Sequence, residues 1–291
     1  MQKIKILTDS ACDITKEQEL DLDIKIMCFP VTVGDVGYRE RIDFTNEQFY
    51  EMMDHCDGIP TTSQVTVFEF VEAYKEIFNE GYTDIIQVTI SSTGSNTYNA
   101  ALMARNNFFE EVPEAKGNFN IKVVDSLNYT GVYGYPVTQA AMKAIKGSTV
   151  DEILSYLNDW FACGMVFFAP YTLEYVKKSG RVSCAAAFVG EVLGLRPIIK
   201  IADGISSTIE KVRGDKNILP KLLEVAVAEM IPQTPYLIVK GSMDEQPDEL
   251  AAMMTKKIGY PPEGFCQIGA AVACNAGHKV AGLVIKGKKR R

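Results

Sequence analysis

No glycine-rich phosphate fingerprint occurs in this 291-residue chain. No G-x-G-x-x-G follows an apolar run and no G-x-x-x-x-G-K-[ST] is present, so a nicotinamide, flavin or P-loop nucleotide site is unsupported. Histidine is scarce. His55 and His278 are the only two, which excludes a three-histidine metal centre. With no H-E-x-x-H and no C-x-x-C either, no metal or cofactor is expected. The seven cysteines are odd in number and scattered, so a disulfide framework is not expected and a reducing cytoplasm fits. No apolar run approaches the roughly 18 residues of a membrane span, and the longest, Ala185 to Leu195, is broken by Glu191. Met1-Gln2-Lys3-Ile4-Lys5 has neither an apolar core nor a small-residue cleavage site, so no leader is expected there. The net charge of −7 offers little to nucleic acid, whose phosphates require a basic face. Positive charge gathers in the tail, at Lys286, Lys288, Lys289, Arg290 and Arg291, where a solvated, frayed terminus is expected. No G-x-S-x-G elbow surrounds any serine.

What the chain does have is three hydroxyl- and acid-bearing turns, each after an apolar strand-like run. Thr8-Asp9-Ser10 follows Ile4 to Leu7, Ser91-Ser92-Thr93-Gly94-Ser95 follows Asp84 to Ile90, and Asp125-Ser126 follows Ile121 to Val124. In an open parallel sheet, ligands bind beyond the carboxyl ends of the strands, often against helix N-termini. Polar clusters there, without the phosphate glycines, point to a small anionic head group. Asp9 and Asp125 can orient the serines or accept backbone N–H groups.

The periodicity predicts strands and helices in alternation through the first half. Strands are expected at 4–7, 84–90 and 121–124. Helices are expected at 44–56 (with Thr45 as cap), 67–79, 96–110, 132–146 and 150–161, the last capped by Ser148 or Thr149. Such alternation means βαβ units and a parallel sheet. The second half mixes hairpins with helices. Strands are expected at 165–169, 196–201, 208–212, 236–239, 268–274 and 280–285, and helices at 171–178, 185–194, 219–230 and 247–258. Asp203-Gly204 signals a hairpin with a link longer than two residues, and Asn275-Ala276-Gly277-His278 a link between the last two strands. The fold class is therefore α/β, a parallel-sheet unit followed by a mixed-sheet unit. They divide as residues 1–162 and 163–291.

Several segments, in order, carry a resemblance. They are Ile6-Leu7-Thr8-Asp9-Ser10, Thr62-Ser63-Gln64, Ile90-Ser91-Ser92-Thr93-Gly94-Ser95-Asn96-Thr97-Tyr98, Val124-Asp125-Ser126, Leu173-Glu174-Tyr175-Val176-Lys177-Lys178-Ser179-Gly180-Arg181-Val182, Arg196-Pro197-Ile198-Ile199 and Lys211-Val212-Arg213. Each is weak alone, but the set spans nearly the whole chain, and the chain resembles the DegV family. The resemblance implies an N-terminal three-layer α/β/α domain, a C-terminal α/β domain and a long-chain fatty acid between them. It implies a non-enzymatic role, in which the acyl-binding subunit presents the carboxylate to a separate ATP-dependent fatty acid kinase. It also assigns residues. Thr62, Ser63, Ser92, Ser95, Asn275 and Gly277 would line the head-group site, and Arg181 and Arg213 would contact the partner. For the tail, Phe167, Phe168, Phe188, Val189, Val192 and Leu193 can supply an apolar lining, at roughly 0.8 kcal/mol per buried CH₂.

Two departures from the family stand out. Cys274-Asn275-Ala276-Gly277-His278-Lys279-Val280 places Asn275 where many members have a histidine, and His278 where the family has proline. An amide can donate to a carboxylate but does not titrate near neutral pH. Asp215 lies in Lys211-Val212-Arg213-Gly214-Asp215-Lys216 and removes positive charge where relatives are more basic. A competing expectation from the residues is a serine-dependent hydrolase or acyl transferase, with His278 serving Ser92 or Ser95.

Overall fold

The computed structural model describes residues 2–182 and 194–290. Three sheets organise the described residues. The first is four-stranded and wholly parallel. It is built from β1 (Ile4–Asp9), β2 (Lys25–Met27), β6 (Asp84–Thr89) and β7 (Asn120–Asp125) in the order β2-β1-β6-β7. The chain runs outward from β1 to β2 and then returns to the other side of β1 as β6. The order therefore reverses between β1 and β6, which is where an α/β sheet opens a crevice.

Period-2 alternation splits the strands' side chains between two helical layers. Leu7, Ile85 and Ile121 pack against α3 (Val67–Asn79) and α4 (Thr97–Glu111). Ile6, Ile86 and Val88 pack against α5 (Gly131–Ile145) and α6 (Val150–Phe161). This is a three-layer α/β/α arrangement. Capping boxes set the helix starts: Thr66 with Glu69 opens α3, and Thr149, one of the two expected caps, opens α6 with Glu152. Thr45 with Gln48 likewise opens α2 (Asn46–His55). Gly134 of α5 lets that helix lie directly on the chain after β1, where an added Cβ would stand 2.0 Å from the Cys12 carbonyl oxygen.

The second large sheet is mixed. It contains β8 (Gly164–Pro170), β9 (Leu195–Ala202), β10 (Ile205–Arg213), β11 (Tyr236–Lys240), β12 (Gly264–Gln267) and β13 (Val280–Lys286), in the order β10-β9-β8-β13-β11-β12. Its pairs are antiparallel except β11 with β12. One face, with Met165, Phe167, Ile238 and Leu283, packs on α8 (Ile218–Glu229) and α9 (Glu245–Ile258). The other face, with Val166, Phe168, Ile199 and Val239, turns to α2 and to α10 (Ala270–Ala276). A small antiparallel sheet, β4 (Val36–Arg39), β3 (Pro30–Val33) and β5 (Thr61–Thr62), adds its Val31 to this same core.

Several sequence expectations need correction. Residues 268–274 do not form a strand joined by a hairpin to β13. The strand is β12, and Ala270–Ala276 is helical. The apolar run there is rich in alanine, the best helix former, and its first turn is met by two buried carboxylates. Asp13 Oδ1 accepts from Gly269 N at 2.8 Å and Glu40 Oε1 from Ala271 N at 2.9 Å. The hairpin at Asp203-Gly204 is tighter than expected. Ala202 pairs with Ile205 and both link residues have positive φ, 51° and 76°, the geometry of a two-residue primed turn. The basic tail is anchored rather than frayed. Lys286 Nζ meets Asp159 at 2.7 Å, and Arg290 donates to Asp203 Oδ2 at 2.8 Å and to the carbonyls of Cys163 and Gly164. The helix expected at 185–194 lies outside the described residues up to 193, and Gly194 is in a turn. The short helix α7 is limited to Glu174–Lys178. Lys25–Met27, the small sheet and α1 (Lys16–Asp21) were not anticipated.

Candidate functional site

All three polar turns sit at the carboxyl ends of the parallel strands, and two carboxylates lock the central one. Asp9, at the end of β1, accepts from Ile90 N at 2.8 Å and from the Tyr133 hydroxyl at 2.6 Å. Asp125, at the end of β7, accepts from Ser92 N at 3.1 Å and Leu127 N at 2.9 Å. The Ser91–Ser95 turn is thus tied on both flanks. It is also closed on itself, since Gly94 N and Ser95 N donate to the Ser91 carbonyl at 3.0 and 3.1 Å. Asp9 is fully buried, and that burial pushes its pKa up to about 7 against the pull of the Tyr133 and Ile90 donors.

The turn faces a cavity of about 220 Å³. Its polar lining comes from Thr62 and Ser63 at and after β5 with Gln64, from Gly94 to Asn96 before α4, from Tyr129 and Thr130 before α5, from Arg181, and from Asn275 on α10. Its apolar lining comes from the inner face of the mixed sheet (Val166, Phe168, Ile201, Val239), from Phe29 and Ile90, and from Ala271, Val272 and Ala276 of α10. Among the described lining residues, Arg181 is the only charged one. A pocket with one cation, no carboxylate among those residues, several hydroxyl and amide groups and an apolar wall suits an amphiphilic anion.

The expected site residues therefore divide. Thr62, Ser63, Ser95 and Asn275 line the cavity together, and Arg181, expected at a partner contact, lines it too. Ser92 and Gly277 are not among its lining residues. Ser92 contributes its backbone N–H to Asp125, while Gly277 closes α10 at φ 79° with its Cα facing Tyr175 and Thr172. Ser95 also serves its own helix, accepting from Thr97 N at 3.3 Å. Asn275 donates one amide hydrogen back to the Ala271 carbonyl at 3.0 Å, which leaves its second amide hydrogen for a ligand. Arg213 is exposed at the end of β10, away from the cavity lining. Asp215 forms an ion pair with Arg196 at 2.8 Å.

Of the expected tail residues, Phe168 lines the cavity. Phe167 points to the opposite face, into the α8–α9 core, as strand alternation requires. Phe188, Val189, Val192 and Leu193 lie outside the described residues. His278 does not serve Ser92 or Ser95. Its ring nitrogens face Ser242 Oγ at 2.8 Å and Asp54 Oδ1 at 3.0 Å instead. Tyr129, Thr130 and Asn96 line the cavity unforeseen. Their signal was the turn itself: Tyr129 Oη lies 3.2 Å from Thr93 Oγ1, and its ring occupies the space where a Cβ on Gly94 would stand. The tip of the β9–β10 hairpin completes this corner, with Thr93 Oγ1 donating to the Gly204 carbonyl at 2.8 Å.

The chain is similar to known proteins over nearly its whole length. The family model described as an uncharacterised protein of the DegV family matches residues 3–288. A DegV domain-containing protein of Clostridium perfringens is 32% identical over 286 residues, covering 95% of each chain. Among solved structures, a DegV lipid binding protein from Thermotoga maritima superposes with a TM-score of 0.84 at 26% identity, covering 100% of both chains. A stearic acid-binding protein from Eubacterium ventriosum superposes with a TM-score of 0.87 at 25% identity, covering 98% of both.

Proposed function

We propose that this chain, which belongs to the DegV family, binds a long-chain fatty acid in the cavity between its two sheets. The carboxylate meets Thr62, Ser63, Ser95 and the free amide hydrogen of Asn275, and Arg181 supplies the compensating charge. The tail runs along Phe168, Val166 and Val239 toward α10. The observation that carries this reading is the composition of the cavity wall, hydroxyl and amide groups beside an apolar sheet face, with Arg181 the one charge among the described lining residues. The lipid binding of the Thermotoga maritima and Eubacterium ventriosum structures supports it.

On this reading the protein is a carrier rather than an enzyme. It is cytoplasmic and divides at residues 162 and 163, with the ligand between the halves. It presents the carboxylate to a separate ATP-dependent kinase. Arg213, exposed at the end of β10, serves that encounter. Arg181 faces the same cavity and links the ligand to it. The absence of a P-loop from the sequence fits phosphoryl transfer by a partner.

Mass spectrometry of lipid released by organic solvent from the purified protein tests the ligand directly, and a stoichiometric fatty acid is expected. A hydrogen bond to a charged group contributes about 1.5–3 kcal/mol. Thr62→Ala and Ser95→Ala are therefore each expected to weaken oleate binding by roughly 10- to 100-fold. Unchanged affinity would remove that hydroxyl from the site. Kinase coupling is tested separately, by acyl-phosphate formation with the cognate kinase and ATP.

A further inference from the structure

His278, outside the cavity lining, is held by partners on both ring nitrogens. It precedes β13, and its side chain is 3% exposed. Tyr50 of α2 stacks on its ring at 5.4 Å, and Tyr175 of α7 meets it edge-on at 6.4 Å. Nε2 lies 3.0 Å from Asp54 Oδ1, and Nδ1 lies 2.8 Å from Ser242 Oγ. A carboxylate only accepts, so Nε2 carries the proton and Nδ1 presents its lone pair to the Ser242 hydroxyl. Ser242 itself is exposed, in the turn after β11. Its position is fixed by its own N–H, which donates to the His278 carbonyl at 2.9 Å. A nucleophile, a base and a group that orients the base are therefore in line, with the nucleophile open to solvent.

We propose that Ser242 is a base-activated nucleophile that accepts an acyl group from carboxylic esters. Its Oγ attacks the ester carbonyl carbon while its proton passes to His278 Nδ1. The carbonyl carbon–oxygen bond to the leaving group then breaks, and the departing alkoxide takes that proton. The products are acyl-Ser242 and an alcohol. Ser242 lies two residues before Asp244, which opens the 14-residue helix α9. Asp244 and Glu245 stand two and three residues further along the chain, and Asp54 stands behind the ring, so neutral esters are preferred to anionic ones.

The surroundings of the imidazole also set a pH dependence. Burial lowers the pKa of His278 from its usual 6.5, and Lys279 acts in the same direction. Asp54 opposes them. Tyr50, Tyr175 and Ser242 face the ring without charge. The reactive, neutral form of the imidazole is therefore already populated at neutral pH.

The test is labelling of the full chain with a fluorophosphonate probe, whose phosphorus–fluorine bond breaks as the Oγ–phosphorus bond forms, followed by peptide mass spectrometry. The label is expected on Ser242, at a rate that rises with pH to a plateau as His278 loses its proton, with a midpoint below that of a free imidazole. Ser242→Ala is expected to abolish it. His278→Gln is expected to slow it by roughly 100-fold or more, the usual contribution of a positioned base. Asp54→Ala, at an exposed position, keeps the test valid if the buried His278 variant fails to fold, and is expected to slow labelling as well. Labelling no faster than that of a free serine amide, labelling on Ser92 or Ser95 instead, or a rate and pH profile unchanged in Asp54→Ala would each overturn the assignment.

Discussion

Replacing Asp9 by asparagine should flatten the pH dependence of stability, and the size of the effect follows from burial. Asp9 is 1% exposed, and in the folded protein it holds its proton up to about pH 7 against an ordinary value of 3.8, chiefly because burial disfavours its charged form. Between those pH values the folded state binds more protons than the unfolded one. Stability therefore falls as pH rises through this window and is greatest below it. About 3 units at 1.36 kcal/mol each gives a loss of about 4 kcal/mol from this one group between pH 4 and pH 8. Asparagine cannot ionise, so the variant lacks that component. It does lose one of the two acceptors that serve Ile90 N–H and the Tyr133 hydroxyl, at a pH-independent cost of about 1–3 kcal/mol.

The two contributions separate in urea denaturation across pH 4–8. The single tryptophan provides the signal. Trp160 is 2% exposed, with its indole N–H on the Val132 carbonyl at 2.8 Å. The Asp9→Asn curve should start lower at pH 4 and decline less steeply, crossing or meeting the wild type near neutrality. Asp13 and Glu40, whose pKa values burial also raises, keep a residual slope in both proteins. Equal slopes in the two proteins would refute the reasoning, because they would mean that Asp9 ionises when folded as readily as when unfolded.

Gly134→Ala places a methyl group 2.0 Å from the backbone oxygen of Cys12, which no rotamer change relieves. A loss of more than about 3 kcal/mol is expected. Gly147→Ala, with open space but φ of +85°, should cost only about 1 kcal/mol in the same melt. Arg290→Ala removes a partly exposed ion pair to Asp203 and two bonds to the Cys163 and Gly164 carbonyls. A loss of about 1–2 kcal/mol is expected after allowance for solvent screening, with faster amide exchange at the tip of the β9–β10 hairpin. Unchanged exchange there would mean that the tail does not hold the hairpin.

The legibility of this chain depended on whether a segment's neighbours were close in sequence. Helices α3 and α6 were readable to the residue because their stripes and their Thr–Glu capping boxes are local signals. The strand-end turns were readable for the same reason, since Asp9 and Asp125 end β1 and β7 and Ser91–Ser95 lies just past β6. Helix α10 was not, because what fixes its start lies far away. Asp13 and Glu40 are more than 200 positions from the N–H groups they receive, and without them Ile268 to Cys274 is an apolar run that suits a strand equally well. The histidine was misassigned on the same grounds. Sequence order put His278 near no particular serine, and only the antiparallel pairing of β11 with β13 brings Ser242 beside it. The cavity shows both cases at once. Its hydroxyl groups sit on local turns and could be named in advance, whereas its apolar wall belongs to strands whose inward face is decided by register. That is why Phe168 lines it and Phe167, one residue away, does not.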